Sequence, residues 1–452
     1  MCTAPQNHTK VENLLASRYA LVIRTLSRED AAMTDTPFLA DLQARGLLHQ
    51  KTAELTDDLI EKVRPPLYVG FDPSAPSLHA GNLVPLLGMD RYRRRGGQII
   101  VLLGGATGLI GDPSGKDTER SLQAEETVAD NIASQRAQME AFFARTEGPA
   151  PIYVNNADWW RGMGVISFLR DVGKHFSVNA MLTKDSVRTR IENREQGISY
   201  TEFSYQLLQG YDFVHLYRAH GCALQMGGSD QWGNIVGGVD LLRRMEGVQG
   251  HAVTYPLLTN SEGKKYGKSE KGAVWLDPAL TSPYEFYQFW LNTADADAPK
   301  FLRWLTEIPL AGIEALEAAP AHERRPQKAL AEWLTTRIHG EKQTRLAERA
   351  SAIIFSGKAA DLDADLVDMI AKAVPTLEAS RGEPLPVIDA MAEVGAAGSK
   401  GEARRLVKQN AVSANGEKIT EETADLRAHA GEAGAVVLSV GKAKRFLVRF
   451  AG

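Results

Sequence analysis

Two short motifs, far apart in the chain, carry residue types suited to binding phosphate. Residues 67–82 (LYVGFDPSAPSLHAGN) end a strand-like run in a polar turn that carries His79. Residues 263–269 (GKKYGKS) form a glycine-bearing loop with Lys265 and Lys268. Lysines on such a loop are often only solvated, but mobile lysines can also close over phosphates and stabilise the charge of a transition state. The pair of motifs predicts a site that grips a triphosphate.

The turn at His79 is expected to open a helix. Ala80 and Gly81 are small, and backbone amides at a helix N-terminus can meet a phosphate group. A lone histidine is usually structural or solvated. One that is followed by Gly81 and Asn82 at a strand–turn–helix junction is a stronger candidate for donating a hydrogen bond to charge that develops on the phosphate.

A glycine-rich segment, residues 104–116 (GGATGLIGDPSGK), follows the apolar run at 98–103 (QIIVLL). The segment fits neither the Walker A pattern G-x-x-x-x-G-K-[ST] nor the dinucleotide pattern G-x-G-x-x-G. Its backbone can approach a ligand closely because glycine has no side chain, and it carries one acid, Asp112. We interpret it as a binding loop, with a plain tight turn as the alternative.

Polar residues recur on one face of a helix predicted at 201–213 (TEFSYQLLQGYDF). Tyr205, Gln209 and Asp212 stand at i, i+4 and i+7. Burying them without partners would be costly. They therefore belong either to an interhelical hydrogen-bond network or to the lining of a site for a small polar ligand. Residues 226–234 (MGGSDQWGN) add an acid and an amide.

The elements around these motifs predict an α/β fold. Residues 67–71 are predicted as a strand, 83–95 as a helix and 98–103 as a buried strand. This β-α-β order predicts a parallel sheet with a right-handed crossover. Ligands bind such sheets beyond the carboxyl ends of the strands, where Asp72 and the 104–116 segment fall.

Composition limits the classes of protein. The chain has 452 residues, of which 44% are hydrophobic and 24% charged, as in ordinary globular domains. A net charge of -4 excludes general affinity for nucleic acid, so any RNA contact needs a local basic patch. Cys2 and Cys222 exclude a disulfide framework and a structural zinc site, and they fit a reducing compartment. No run is long and apolar enough to cross a membrane, and we predict a cytoplasmic protein.

The segments outside the α/β region differ in pattern. Residues 1–32 weakly resemble a transit peptide, but we favour a start-site artefact because the sequence from Met33 looks like a natural start. Residues 283–355 are helical in pattern, and 356–384 hold the prolines and acids typical of a linker. Residues 385–452 form a small unit of helices, an Asn-Gly turn and strands.

In this order, the motifs resemble those of bacterial-type tyrosyl-tRNA synthetases, a family of class I aminoacyl-tRNA synthetases. The class I signatures His-Ile-Gly-His and Lys-Met-Ser-Lys-Ser are represented here by residues 79–82 (HAGN) and 265–269 (KYGKS). Asn82 departs from the second histidine, but its amide can still bond a ribose, so we expect tuned rather than lost activity. The resemblance implies a Rossmann-like parallel-sheet catalytic domain at 33–282, an α-helical anticodon-region domain at 283–355, a linker at 356–384 and a small α+β RNA-binding domain of the ribosomal S-four type at 385–452.

The resemblance also implies roles for single residues. Its implied tyrosine-binding residues are Tyr68 and Asp212 at the phenol hydroxyl, Asp112, Tyr205 and Gln209 at the ammonium group, and Gln231 near the carboxylate. Its implied ATP-binding residues are Gly70, Asp72, His79, Gly81, Asn82, Gly228, Asp230, Lys265, Lys268 and Ser269. The implied catalytic residues among them are His79, Asn82, Lys265 and Lys268, and those that would assist the pyrophosphate are Lys116 and Arg120.

The implied reaction has two steps. L-Tyrosine and ATP form tyrosyl-adenylate and pyrophosphate, and the tyrosyl group then passes to the 3′ end of tRNA(Tyr). The substrate carboxylate is itself the nucleophile, so no Ser-His-Asp or Cys-His arrangement is needed. Mg²⁺ would arrive with ATP, without a tightly bound cofactor or a protein ligand to the metal. The family works as a homodimer, and the apolar, aromatic residues 155–180 are our prediction for its surface.

The C-terminal segment carries a cluster of basic residues on a predicted helix: Lys400, Arg404, Arg405 and Lys408. An ordinary solvated face is the alternative. The resemblance of this segment to the S-four-type domain favours contact with RNA.

Three other functions remain open at this point. A tryptophanyl-tRNA synthetase shares the catalytic fold, but the Tyr68 and Asp212 pair and the basic tail argue against it. A small-molecule ligase that transfers adenylyl groups is disfavoured by the helical 283–355 region and the tail. An RNA-binding protein with a decayed synthetase site is opposed by the nearly complete set of site residues, and only Asn82 supports it.

Overall fold

The structure, a computed structural model, describes residues 36–114, 122–192, 197–269, 272–359, 361–441 and 444–451. These residues form two compact units. The first consists of two segments, the described residues up to Asp277 and the later segment Thr293–Leu330. The second consists of Pro278–Asn292 and the residues from Ala331 onward.

The helices and strands are numbered along the chain. The helices are α1 (Phe38–Ala44), α2 (Asp57–Val63), α3 (Leu83–Arg94), α4 (Thr107–Ile110), α5 (Glu125–Phe143), α6 (Ala157–Trp160), α7 (Val165–Ser167), α8 (Val178–Leu182), α9 (Asp185–Glu192), α10 (Tyr200–His220), α11 (Trp232–Glu246), α12 (Pro283–Leu291), α13 (Ala298–Leu305), α14 (Leu310–Glu317), α15 (Arg325–His339), α16 (Glu341–Ser356), α17 (Ala364–Ala371), α18 (Val387–Glu393) and α19 (Lys400–Lys408). The strands are β1 (Gln50–Lys51), β2 (Leu67–Phe71), β3 (Ile99–Leu103), β4 (Ile152–Asn155), β5 (Leu224–Gly228), β6 (His251–Tyr255), β7 (Lys268–Ser269), β8 (Gly272–Ala273), β9 (Thr376–Ser380), β10 (Val412–Ala414), β11 (Glu417–Lys418), β12 (Ala435–Val440) and β13 (Lys444–Ala451).

A mixed sheet forms the centre of the first unit, with the strand order β1-β6-β5-β2-β3-β4. Strands β2 to β6 pair in parallel, and β1 alone of these six pairs antiparallel, with β6. The five residues of β3, all apolar, are all buried. Continuous burial of this kind is typical of a parallel strand covered on both faces. The predicted α/β fold with a Rossmann-like parallel sheet is therefore confirmed.

Helix α10 carries the polar face that the sequence predicted. Ser199 caps its start by accepting a hydrogen bond from the Glu202 amide, and Gly221 ends it with a φ of 64°. Serine at the N-cap and left-handed glycine after the last turn are the usual terminal signals of a helix. The helix therefore runs past both ends of the predicted 201–213 segment and holds it as one rigid element.

The second unit contains a separate sheet with the order β11-β10-β12-β13-β9. Strand β9 pairs in parallel with β13, and Thr376 lies opposite Leu447. Helix α17 packs beneath the same sheet through Leu366 and Ile370, which share a buried cluster with Leu447. The segment 356–384, predicted as a linker, thus contains a helix and a strand, because its scattered apolar residues find partners far along the chain.

The described residues of the predicted helical region 283–355 divide between the units. Helix α12 belongs to the second unit, whereas α13 and α14 belong to the first. Among the residues that the structure describes, no helix combines the length and apolar character needed to cross a bilayer. The N-terminal extension 1–32 lies outside the described residues.

Candidate active site

A cavity of about 300 Å³ opens at the carboxyl ends of the parallel strands of the first unit. This is the edge where parallel sheets bind their ligands. Residues from all of the predicted motifs except the lysine loop line it. The predicted site residues in its wall are Tyr68, Gly70, Asp72, His79, Gly81, Asn82, Asp112, Tyr205, Gln209, Asp212, Gly228 and Gln231.

Asp212 is the buried acid at one end of the cavity, and three side chains donate hydrogen bonds to it. Asn156 Nδ2 lies 3.1 Å from its Oδ2. The indole nitrogens of Trp159 and Trp160 lie 2.9 Å and 2.8 Å from its Oδ1. Burial raises the pKa of Asp212 to about 7, while the three donors act in the opposite direction. These donors stabilise the ionised carboxylate.

Tyr68 stands beside this acid with an unsatisfied hydroxyl. Its Oη atom is buried and has no hydrogen-bond partner among the described residues. Burial raises the pKa of Tyr68 well above its ordinary value, and the charge of Asp212 adds to the effect. An unpaired buried hydroxyl costs free energy unless a ligand pairs with it. This end of the cavity therefore suits a ligand with a hydroxyl group.

The other end of the cavity is acidic. Tyr205 donates its hydroxyl to Asp72 Oδ2 at 2.9 Å, and Gln231 Nε2 donates to Asp112 Oδ2 at 2.6 Å. The buried amide oxygen of Gln209 has no partner among the described residues. Two carboxylates and an unpaired carbonyl oxygen offer acceptors only, which suits a ligand cation such as an ammonium group.

A chain of hydrogen bonds joins the two ends. Thr107 Oγ1 donates to Asp72 Oδ1 at 2.8 Å, and Asn156 Nδ2 lies 3.0 Å from Thr107 Oγ1. The same Asn156 nitrogen donates to Asp212, and its amide oxygen accepts from the backbone of Ala106 at 2.7 Å. Because every member is held by a neighbour, the spacing between the acids at the two ends is fixed by the protein.

His79 and Asn82 cap each other at the turn before α3. The backbone amide of His79 donates to Asn82 Oδ1 at 2.9 Å, and the Gly81 amide donates to His79 Nδ1 at 3.0 Å. A Cβ atom at Gly81 would lie only 2.8 Å from the His79 ring, so any larger residue there would force this ring to move. The substituted asparagine thus has a structural task at this turn, since its carbonyl oxygen is a good acceptor.

The lysine loop meets this turn. The Gly267 backbone has a φ of 113°, and a Cβ atom there would lie 3.3 Å from the Gly81 nitrogen. The Val274 amide donates to the Gly267 carbonyl, and the Ala80 amide donates to the Val274 carbonyl at 2.8 Å. The two predicted phosphate motifs are therefore neighbours in space, as a shared phosphate site requires.

The remaining predicted residues lie around this junction or outside the described chain. Burial and the charge of Asp112 raise the pKa of Asp230, and the charge of Lys265 lowers it. Asp230 therefore interacts electrostatically with both side chains. The Lys265 side chain is exposed, and the backbone of Lys268 and Ser269 forms β7. The two residues predicted to assist pyrophosphate, Lys116 and Arg120, lie outside the described residues.

Several polar residues of the site were not predicted. They are Thr107, Asn156, Trp159, Trp160 and Gln225. Gln225 lines the cavity from β5, and its buried amide oxygen has no partner among the described residues. Asn156 directly follows β4, and this position was the available signal, because the carboxyl end of a parallel strand faces the ligand edge.

The predicted RNA-binding residues lie on α19 in the second unit. The helix buries Ala403 and Val407, while its four basic residues, Lys400, Arg404, Arg405 and Lys408, are exposed. Glu422 pairs with two of the basic side chains at 3.5 and 3.2 Å. The sequence correctly predicted a helix at this place with its basic residues on one outer face.

Known proteins are similar to this chain in sequence. A family model described as tRNA synthetases class I (W and Y) matches residues 61–356. A second model, described as tyrosine–tRNA ligase SYY-like C-terminal domain, matches residues 365–448. A tyrosine–tRNA ligase of Dechloromonas aromatica is 48% identical over 391 residues, which cover 85% of this chain and 92% of that protein. The chain belongs to the tyrosyl-tRNA synthetase family. The resemblance inferred from the motifs is confirmed.

Another curated protein and two solved structures are also similar to this chain. A tyrosine–tRNA ligase of Roseiflexus castenholzii is 46% identical over 423 residues, covering 92% of this chain and 99% of that protein. A C-terminally truncated mitochondrial tyrosyl-tRNA synthetase of Aspergillus nidulans has a TM-score of 0.64 at 29% identity, covering 73% of this chain and 99% of that structure. A tryptophanyl-tRNA synthetase of Encephalitozoon cuniculi has a TM-score of 0.51 at 13% identity, covering 72% of this chain and 93% of that structure. This last likeness shows only a common fold.

Proposed function

We propose that the chain is a tyrosine–tRNA ligase that works in two steps. The carboxylate of L-tyrosine attacks the α-phosphorus of ATP, which forms tyrosyl-adenylate and releases pyrophosphate. The 3′-terminal hydroxyl of tRNA(Tyr) then attacks the tyrosyl carbonyl and releases AMP. The observation that carries the proposal lies at one end of the cavity, where the buried Tyr68 hydroxyl stands beside the Asp212 carboxylate and has no hydrogen-bond partner in the described part of the chain.

Tyr68 and Asp212 would select tyrosine by pairing with its phenol hydroxyl, the first as donor and the second as acceptor. Phenylalanine would leave the buried Tyr68 hydroxyl unpaired and the remaining acceptor position of Asp212 unfilled, and the cost of an unsatisfied buried polar group is large. Tyrosyl-tRNA synthetases are themselves the standard example of this kind of discrimination. Discrimination therefore needs no residue that repels phenylalanine, because phenylalanine lacks the hydroxyl that Tyr68 and Asp212 would bind.

The acidic end would hold the α-ammonium group through Asp112, Tyr205 and Gln209, with Gln231 near the carboxylate. The support is the concentration of acceptors described above, together with the hydrogen bond from Gln231 to Asp112. Held at both ends, the substrate would present its carboxylate in one position. Such positioning supplies much of the rate increase in a reaction without a protein nucleophile.

ATP would bind where the two signature motifs meet. His79, Lys265 and Lys268 would contact its phosphates, with Asn82 near its ribose. Residues at the ends of β2 and β5 would contact the adenylate: Gly70, Asp72, Gly228 and Asp230. The lysines would stabilise the charge that develops during transfer. The support is the contact between Gly267 and the turn at Gly81.

We infer that Mg²⁺ enters with the ATP phosphates. Mg²⁺ commonly keeps several waters and binds through substrate phosphates and one or two carboxylates. The described residues contain no group of three or more His, Cys, Asp or Glu side chains placed to hold a metal ion. In this proposal the ion is held mainly by the phosphates, and the named residues are assigned to the substrates.

The basic face of α19 would contact tRNA. Its four basic side chains are exposed on a chain whose net charge is -4, so this face is locally distinct from the rest of the molecule. Contacts of this kind neutralise phosphates and depend steeply on salt. The second unit would thus add tRNA affinity to a catalytic centre that lies wholly in the first.

We also propose that the protein is a homodimer. The predicted segment 155–180 exposes large apolar side chains, with Val165, Ile166 and Val178 exposed by 71%, 75% and 59%. A cluster of this kind commonly marks a protein interface. Sedimentation equilibrium would report a dimer, and Ile166→Asp would shift the protein toward the monomer.

The free, buried Cys222 fits a reducing compartment such as the cytoplasm.

The decisive experiment is ATP–pyrophosphate exchange with each of the twenty amino acids. Exchange with tyrosine alone is expected. Exchange with tryptophan alone would place the chain with the tryptophan enzymes. Absence of exchange, in a protein that still binds ATP, would favour an RNA-binding role without catalysis.

A further inference from the structure

Trp160 contacts the selective carboxylate from behind the cavity. Its Nε1 donates to Asp212 Oδ1 at 2.8 Å, the same oxygen that Trp159 Nε1 contacts at 2.9 Å. Trp160 is absent from the described residues that line the cavity, so it has no direct access to the substrate. Its ring packs against Phe168 and Tyr211, with ring centres 5.5 Å and 5.2 Å apart. These ring contacts fix the direction of its N–H.

The N–H groups of the two indoles both donate to one oxygen of the Asp212 carboxylate. An ionised carboxylate oxygen has two lone-pair positions, and Oδ1 already accepts two N–H groups. The other oxygen, Oδ2, accepts from Asn156 at 3.1 Å and keeps one position for a ligand. Asp212 therefore offers the cavity one acceptor position, in a direction that the protein sets.

We propose that Trp160 is a positioning residue for tyrosine selection. By filling the second acceptor position of Oδ1, it holds the Asp212 carboxylate in the orientation in which Oδ2 receives the phenol hydroxyl. The proposal rests on the tyrosine-activating function proposed above. It adds a residue that touches neither the substrate nor ATP and that acts through one hydrogen bond.

The charge state of Asp212 provides a readout. Its pKa is about 7 because burial favours the neutral acid. The ionisable groups around it are Asp72 and Tyr68 on the β2 side, Tyr205 on its own helix, and His215 stacked on Trp159. An N–H donor stabilises the ionised form, so loss of the Trp160 donor raises the pKa of Asp212 further. At pH 7 more molecules would then carry the neutral acid, which is a weaker acceptor, and a higher pH would restore the carboxylate.

The test is Trp160→Phe, which removes the N–H and keeps an aromatic ring. Tyrosine-dependent exchange is measured from pH 6 to pH 9 in the full-length protein. We expect the KM for tyrosine at pH 7 to rise on the order of 10-fold, as for the loss of one hydrogen bond to a charged group. The difference from wild type should shrink toward pH 9, and the KM for ATP should stay unchanged.

A comparison with phenylalanine separates positioning from general damage. Phenylalanine makes no bond to Asp212, so kcat/KM for phenylalanine should be unaffected by Trp160→Phe while that for tyrosine falls. Phe142→Leu is the control for general damage, because it removes a buried aromatic ring that does not line the cavity and leaves the Trp160 N–H and its ring contacts in place. Equal losses for both amino acids at every pH would show a merely structural role and overturn the proposal.

A second variant covers the case in which Trp160→Phe does not fold. Replacement of Trp160 by 3-benzothienylalanine keeps the two-ring shape and puts sulfur where indole carries its N–H. The same pH-dependent loss is expected. Wild-type kinetics in a folded variant would overturn the role of Trp160, whereas a wild-type protein inactive with tyrosine would overturn the proposed function instead.

Discussion

Tyr205 donates its hydroxyl to Asp72 Oδ2 at 2.9 Å, although Asp72 lies 133 residues earlier in the chain. The bond connects helix α10 to the end of strand β2. Thr107 donates to the other oxygen of Asp72 at 2.8 Å. Both oxygens of this carboxylate are thus fixed, and the acidic end of the cavity is built before a substrate arrives.

Tyr205→Phe should weaken tyrosine binding. The substitution removes one donor to Asp72 and one polar contact proposed for the ammonium group, so the KM for tyrosine should rise on the order of 10-fold. Tyr200→Phe is the matched control, because Tyr200 begins the same helix and is 73% exposed. Steady-state exchange kinetics would measure both variants, and an unchanged KM in Tyr205→Phe would remove this residue from the site.

Asp212→Ala should abolish tyrosine activation. The change deletes the proposed phenol acceptor and leaves Asn156, Trp159 and Trp160 with buried donors that lack their partner. Tyrosine-dependent exchange should fall by at least 100-fold, on the order of two such hydrogen bonds. Asp158→Ala, which removes an exposed acid next to Trp159 in the chain, is the control. Normal exchange in the Asp212 variant would refute the assignment of the phenol end.

Asn82→Ala should lower the rate of adenylate formation. It removes the carbonyl that accepts from the His79 amide, and loss of such a cap costs about 1 kcal/mol. The turn that holds His79 would loosen, so kcat should fall on the order of 10-fold. Asn82→Ser, which keeps an acceptor, should lose less. Equal kcat values for the two variants would show that capping is not what Asn82 contributes.

Charge reversal on α19 should affect tRNA but not adenylate formation. Arg404→Glu with Arg405→Glu should raise the Kd for tRNA and reduce the salt dependence of binding, because fewer phosphates are neutralised. Lys372→Glu, an exposed site in the same unit, is the control. Substitution is preferable to deletion from residue 385, which would leave β9 without its partner β13. Unchanged tRNA binding would argue for a solvated face.

Glu348→Gln should stabilise the second unit at alkaline pH. Burial, assisted by Glu332, raises the pKa of Glu348 to about 7. The pKa of this acid is higher in the folded protein than in the unfolded chain. As the pH rises from about 4.5 to about 7, the unfolded chain therefore ionises first, and the free energy of unfolding falls. The variant avoids this loss, so at pH 8 it should be more stable by about 1–3 kcal/mol.

Scanning calorimetry at pH 4.5 and pH 8 would test the effect of Glu348. The Tm difference between variant and wild type should appear at pH 8 and vanish at the lower pH. Glu393→Gln, at an exposed position in the same unit, should show no such dependence. The same Tm difference at both pH values would mean that packing, rather than ionisation of Glu348, determines the effect of the substitution on stability.

Local patterns were sufficient to predict the parts of the site that lie on single elements. Helical spacing put Tyr205, Gln209 and Asp212 on one face, and all three line the cavity. The β-α-β order placed Asp72 at the ligand edge of the sheet. These inferences need only the periods of a helix and a strand.

Partners that are distant in sequence were not predictable in the same way. The aromatic residues after β4 were interpreted as a surface, yet Trp159 and Trp160 turn their N–H groups toward an acid more than fifty residues later. Strand β9 was missed for a similar reason, since only its pairing with β13 identifies it. Such contacts arise from tertiary packing, which leaves little trace in the spacing of neighbouring residues.

The pairing of β9 with β13 also bears on how the protein is made. Strand β13 lies between β12 and β9, so its residues 444–451 supply the interior of the second sheet. During translation, β9 and β12 leave the ribosome before the strand that joins them, and pairing between distant strands is slow. This unit must therefore wait, with part of its apolar face exposed, until residues 444–451 have been synthesised. A chain whose synthesis stops before β13 would keep this apolar face exposed and would be prone to aggregation or to capture by chaperones.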